Sequence, residues 1–331
     1  METNQVIGVF ILKRAEIEVK ISNYGACIMS VAVPDKNGVK ANVVAGFDDP
    51  ADYLSEHPYF GTIVGRVANR LAGASFPLDG RTVQLSLNEK VNQLHGGFEG
   101  FDKKYWRVKE HTDTMLELAY TSPDGEEGYP GTLETTVRYT LSPANSLLVE
   151  YTATTDKPTI VSLTNHSYFN LSGFESDTIY DHRLKLNADH YTIKNATNTS
   201  TGEFGNVKNT ALDFHQEKRI GDRIHEMVTD RGYDHNYVLK DGPAPAATLY
   251  DPVSGRSLNV YTDQPGVQVY TSNWWDGTIK GSQGKYYQQH GAVALETQGF
   301  PDAPNHPSFP SMVLRPGETY HSYTIFEFNA G

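Results

Sequence analysis

Two short segments place polar, chemically able residues inside otherwise apolar strands. In Ile160-Val161-Ser162-Leu163-Thr164-Asn165-His166-Ser167-Tyr168-Phe169-Asn170, strand periodicity puts Thr164, His166, Tyr168 and Asn170 on one face. Val161, Leu163, Phe169 and Leu171 fall on the other. Such a strand either lines a wet, ligand-sized space or faces solvent. In Ala292-Val293-Ala294-Leu295-Glu296-Thr297, the residues Ala292, Ala294 and Glu296 share a face. Small residues beside a carboxylate leave room for a ligand; a structural salt bridge is the plainer reading. Asn92-Gln93-Leu94-His95-Gly96-Gly97 and Gly232-Tyr233-Asp234-His235-Asn236-Tyr237 put a His or Asp where glycine frees the backbone for a loop. A cap or a turn would use the same residues.

The motifs of several common chemistries do not occur. There is no G-x-G-x-x-G, no Walker A loop and no G-x-S-x-G elbow. His225-Glu226 begins like a zincin, but position 229 is Thr, so the second metal ligand is missing. The one cysteine, Cys27, excludes an internal disulfide and a cysteine-based zinc cluster, fits a reducing compartment and reads as a small core residue. Asn165-His166-Ser167 and Asn195-Ala196-Thr197 match glycosylation sequons, which matter only in a secreted chain. Met1-Glu2-Thr3-Asn4-Gln5 lacks the basic start of a secretory signal, so the expected location is cytoplasmic.

Positioning such residues calls for strands. The 331 residues include 20 Tyr, 14 Phe, 29 Gly and 17 Pro, a mixture that favours strands and turns over helices. Phe76–Leu78 and Arg81–Leu85 flank Asp79-Gly80 as a tight hairpin. Alternating Val137, Tyr139, Leu141 and Leu147, Val149, Tyr151, Ala153 form a second hairpin about Ser142–Asn145. Asn37-Gly38 and Ser254-Gly255 mark further turns, Val6–Leu12 reads as a strand, and Asp241–Ala247 as a loop. The best helical periodicity, Glu217 to Val228 with Gly221 inside, predicts one short surface helix. With no linker or repeat, the chain reads as one large β sandwich or barrel. Its 28 basic and 40 acidic residues, net −12, offer no basic patch for nucleic acid or an anionic membrane, and no apolar run is long enough for a membrane span.

Taken in order, these segments resemble one family. Gly65-Arg66-Val67-Ala68-Asn69-Arg70, Asn92-x-Leu94-His95-Gly96-Gly97, Leu163–Leu171 and Leu295-Glu296-Thr297-Gln298 are similar to motifs of the aldose 1-epimerases, the galactose mutarotases. So are Pro301-Asp302-Ala303, Phe309-Pro310 and Leu314-Arg315-Pro316-Gly317-Glu318, and the match runs from about Phe10 to Phe328. The resemblance implies an all-β fold, a large antiparallel β-supersandwich with a few short helices, and a single domain over residues 1–331. It implies interconversion of the α and β anomers of aldohexoses such as galactose and glucose, with no cofactor and no metal.

By that resemblance Glu296 is the base and His166 the acid, while Asn69, Arg70, His95, Asp234 and Gln268 hold sugar hydroxyls. Tyr168 borders the site, and His95 is a second candidate proton donor. Trp274 or Trp275 stacks on the pyranose or simply packs. His166 must be cationic to donate, so Asp234 or Glu296 is expected to raise its pKa. The partner is then a monosaccharide. The alternatives are a hexose-6-phosphate mutarotase, which needs additional Arg or Lys at the cleft, a glycosidase using Asp234 and Glu296 as paired carboxylates, and a non-catalytic sugar-binding domain.

Overall fold

A computed structural model describes residues 6–331; Met1–Gln5, and with them the reading of the N-terminus, lie outside the described residues. The fold is all-β: a nine-stranded and a six-stranded antiparallel sheet, joined by a four-stranded sheet and several two-stranded ribbons. The helical segments among the described residues are short 3-10 turns. No helix there is long and apolar enough to cross a membrane.

The local chemistry accounts for many of the elements. Ser75–Leu78 pairs with Arg81–Gln84 across Asp79 and Gly80, at φ 48° and 76°. Two successive positive φ values match the right-handed twist of the flanking strands. Leu133–Ser142 pairs with Ser146–Thr155 in the register Val137 with Tyr151 and Leu141 with Leu147, as the alternation predicts. One strand, Val9–Arg14, overlaps the expected Val6–Leu12, and 241–246 is a loop.

The two large sheets bury their apolar faces against each other. Val267, Val269, Val293 and Leu295 of the six-stranded sheet share one core with Leu258, Val260, Phe326 and Phe328 of the nine-stranded sheet. The rings of Phe169 and Phe326 meet across it at 5.3 Å between centroids. Burying each such side chain contributes on the order of 2 kcal/mol, so this contact holds the six-stranded sheet rigid from behind. Cys27 lies fully inside a smaller, aromatic-rich cluster, as a core residue should.

Two expectations are corrected. Glu217–Val228 is not a helix: it is a two-residue strand, Lys218–Arg219, followed by 3-10 turns at Ile220–Asp222 and Ile224–Glu226. A twelve-residue helix is marginal by itself, and here Gly221 packs so tightly on Tyr180 that a Cβ would lie 2.6 Å from it. Ile160–Asn170 is not one strand either. Its pieces Thr159–Ile160, Thr164–Asn165 and Tyr168–Phe169 pair respectively with Val313–Leu314, Ile63–Val64 and Val293–Ala294. The chain crosses between sheets, and both of its faces are buried, which removes the solvent-facing reading.

Candidate active site

The polar face of the six-stranded sheet forms the floor of an open cleft. Register brings its residues together: Gln268 lies opposite Glu296, Tyr270 opposite Asp234 and Ala294, and Tyr168 opposite Ala294. Ala294 contributes almost no side chain, so the floor stays open beside Glu296. The cleft, about 180 Å³, is lined by Asn69, Arg70, His95, His166, Tyr168, Asp234, Gln268 and Glu296, the acid, base and hydroxyl-binding candidates from sequence; Thr164 and Asn170, expected on the same face as His166, do not line it.

The two proton-carrying groups converge at its base. His166 Nε2 stands 3.4 Å from Glu296 Oε2, with both side chains nearly fully buried. His166 is fixed by its backbone, its N–H donating to the Thr62 carbonyl and its carbonyl accepting from Gly61 N–H. Burial pushes the Glu296 pKa well up, and the Asp234 charge adds to this against Arg70. Burial pushes His166 down to about 4, and the opposing charge of Asp234 does not restore it. This reverses the expected elevation: in a site closed on both faces of the chain, loss of hydration outweighs a neighbouring carboxylate.

His95 has a defined tautomer. Its Nδ1 accepts from the Asn69 backbone N–H at 3.2 Å, so Nε2 carries the proton and is the atom able to donate. Burial and the charges of His166 and Arg70 hold its pKa far below the usual value, making it a neutral donor. Its loop can sit this close only because position 96 is glycine: a Cβ there would lie 1.7 Å from the Gly65 carbonyl oxygen at φ 89°. Asn69 Oδ1 accepts from Arg70 N–H, tying the two sugar-contact candidates together.

Asp234 takes the opposite course from Glu296. Burial would raise it, but Lys194, Arg70 and the Gln268 hydrogen bond together hold it below the ordinary carboxylate value. Gln268 Nε2 donates to Asp234 Oδ1 at 2.6 Å, which fixes both side chains. Of the tryptophans, Trp274 lines the cleft with 62% of its surface exposed, whereas Trp275 packs against Phe60, Tyr168 and Tyr287. His235 points elsewhere, edge-on to Tyr191, and does not line this cleft.

Sequence reasoning missed several members. Tyr270 lies two residues from Gln268 on the same strand face, a signal that was present. Tyr59 stacks on His166 at 5.8 Å and meets His95 edge-on at 4.7 Å; nothing local marks it. Arg66, in the motif with Asn69 and Arg70, serves the fold instead, donating to Ser122, Pro123 and Pro130 carbonyls.

His95, His166 and Glu296 also approach within the 4.8 Å spacing of a metal site. Arg70, whose charge acts on Glu296, opposes a cation there. The arrangement is suited to moving protons at one small locus: an acceptor, a donor and a neutral hydrogen-bond donor, ringed by groups for hydroxyls.

This is the architecture of the galactose mutarotase class. The chain superposes on a GalM/aldose epimerase homologue from C. elegans with TM-score 0.92 at 30% identity, over 98% of this chain and 99% of that one. A galactose 1-epimerase from Lactobacillus acidophilus NCFM gives TM-score 0.88 at 29% identity, over 100% and 97%. The sequence model of one family, described as "Aldose 1-epimerase", matches residues 9–327. Galactose mutarotase from Bos taurus is 44% identical over 97% of this chain and 93% of its own. Aldose 1-epimerase from Escherichia coli K12 is 37% identical over 96% and 93%. The chain belongs to the aldose 1-epimerase family.

Proposed function

We propose that this isomerase interconverts the α and β anomers of neutral aldohexoses such as galactose and glucose. The observation that carries the reading is the His166–Glu296 pair, with Nε2 and Oε2 3.4 Å apart at the base of a hydroxyl-binding cleft. Opening a hemiacetal moves a proton off the C1 hydroxyl and another onto the ring oxygen. Both oxygens are bonded to one carbon, so donor and acceptor must converge as these two atoms do.

Glu296 takes the C1 hydroxyl proton while the ring C–O bond breaks, and protonated His166 gives its proton to the ring oxygen. The pair then stands as protonated Glu296 and neutral His166 beside an open-chain aldehyde. Burial favours that same protonation state, so the site is matched to the intermediate rather than the closed ring. Rotation about C1–C2 presents the other carbonyl face, and the reverse transfers close the ring. Asn69, Arg70, His95, Asp234 and Gln268 hold the remaining hydroxyls, and Tyr168 and Trp274 border the ring. No step calls for a metal or a redox cofactor.

The hexose-6-phosphate alternative is disfavoured because Arg70 is already paired with Glu89 and Lys194 with Asp230. A glycosidase would leave His166 without a role, and a binding module would have no use for the buried acid–base pair. We further take residues 1–331 as one cytoplasmic domain, a reading supported by the core shared between the two large sheets and by the single buried cysteine.

Polarimetry of freshly dissolved α-D-galactose and α-D-glucose tests the assignment, with wild type, Glu296→Gln and His166→Asn. It fails if wild type does not speed the rotation change or if both variants retain the full rate.

A further inference from the structure

Among the described residues, every hydrogen bond of the Arg70 guanidinium goes to one residue that does not line the cleft. Arg70 Nε donates to Glu89 Oε1 at 3.0 Å and Oε2 at 2.9 Å, and Nη2 donates to Oε1 at 2.7 Å. The arginine side chain is 16% exposed and Glu89 27%, so the pair is only partly screened by solvent. Nη1 makes none of these bonds, and Arg70 lines the cleft. Glu89 is itself held in register: its N–H donates to the Asn92 carbonyl and its carbonyl accepts from Asn92 N–H. Two residues on, Leu94 pairs with Arg70 in the adjoining ribbon. Acid and base are therefore built into one small unit.

Lys194, on the far side of Asp234, repeats the pattern. Its Nζ lies 2.8 Å from Asp230 Oδ1 and 3.7 Å from Asp234 Oδ2, and it donates to the Asp234 carbonyl at 3.0 Å. Asp230, like Glu89, is not a cleft-lining residue. Arg70 and Lys194 are thus each partnered by a carboxylate from behind, while Asp234 and Glu296 remain in front. At Arg70 and Lys194 a sugar bearing a carboxylate or phosphate meets cations already partnered by carboxylates, although Arg70 would otherwise suit either group.

We propose that Glu89 is a specificity-determining residue: by occupying the Nε and Nη2 edge of Arg70 it offsets part of the guanidinium charge, presents Nη1 to a hydroxyl, and biases the cleft towards uncharged aldoses. This rests on the reading of the cleft as a site for neutral aldohexoses. Charge and position can be separated. Glu89→Gln keeps an acceptor for Arg70 but removes the counter-charge; Glu89→Asp keeps the charge but draws it back.

The test measures kcat/KM by polarimetry and binding by titration calorimetry, for D-galactose and D-galacturonate, at low and high salt. Glu89→Gln should raise the galacturonate-to-galactose ratio about tenfold, with the gain reduced by salt, as expected for one uncovered charge near a ligand. Glu89→Asp should raise KM for both sugars together and leave the ratio unchanged. Asp230→Asn, which uncovers Lys194, should shift the ratio the same way by about threefold. An unchanged ratio in Glu89→Gln, or an equal change in Glu89→Asp, overturns the proposal. Failure of wild type to speed galactose mutarotation overturns the functional reading instead, and the calorimetric ratio still decides the role of Glu89.

Discussion

The strand Val293–Gln298 has two faces that differ in almost every property except burial. Val293 and Leu295 point into the main core, packed among residues of both large sheets. Ala294 and Glu296 point the other way, onto the cleft floor beside Tyr168 and Gln268. One face gains stability from loss of water. The other suffers from it, since burial holds Glu296 away from its charged form and, among the described residues, leaves Oε2 without a hydrogen bond. The contrast teaches that the apolar face supplies the rigidity with which the polar face can be held in an unfavourable state.

The first way to break the contrast is to remove chemistry while leaving the frame. Glu296→Gln and His166→Asn should each lower kcat for galactose about 10³-fold, within the range of a lost general acid or base. Near-ultraviolet circular dichroism should stay at the wild-type level. If either variant loses its aromatic signal along with its rate, the polar face is structural after all.

A second test concerns the electrostatics of the polar face. The active pair carries one proton between Glu296 and His166, so activity falls when a second is added and when the first is lost. With His166 lowered to about 4, the acid limb of kcat/KM should lie near pH 4 rather than near the usual histidine value. With Glu296 raised, the alkaline limb should lie well above the ordinary carboxylate range. An acid limb at pH 6 to 7 would contradict the dominance of burial over charge at His166.

These tests bear on what could be read from the chain beforehand. The two faces of Ala292–Thr297 were legible, because strand periodicity is a local property and survives whatever the strand pairs with. The His95 and Asp234 loops were legible for a similar reason: glycines mark where the backbone must turn or approach closely. Ile160–Asn170 showed the right side chains but not the break into three pieces, which depends on partners more than a hundred residues away at Val293–Ala294 and Val313–Leu314. The sign of the His166 shift was illegible for the same cause, since it depends on what covers both faces. Glu89 and Lys194 are charged residues on ordinary-looking segments; only the folded chain brings one behind Arg70 and the other beside Asp234.

On the apolar face, Leu295→Ala should cost about 3 kcal/mol of unfolding free energy, the usual consequence of a cavity in a close-packed core. Activity per folded molecule should change little at temperatures below the new transition. Chemical denaturation with parallel polarimetry checks both. A loss of activity without a loss of stability would mean that the two faces are not separable.

The smallest effect is the most pointed. Glu296→Gln should stabilise the fold at neutral pH by about 1 kcal/mol, because function keeps an ionisable group where burial opposes its charge. The sign follows from proton linkage. A carboxyl whose folded pKa is raised binds its proton more tightly in the folded state, so its contribution is most favourable below the unfolded value, about 4.5. That contribution is lost as pH rises from there through the folded pKa. His166 acts in the other direction, its contribution being lost as pH falls from 6.5 toward about 4. The stability difference between Glu296→Gln and wild type should therefore grow from pH 5 to pH 8, whereas Leu295→Ala should give a difference independent of pH. Urea denaturation at both pH values measures it. A Glu296→Gln difference that is flat, or that shrinks with rising pH, would show that the polar face holds its carboxylate without strain.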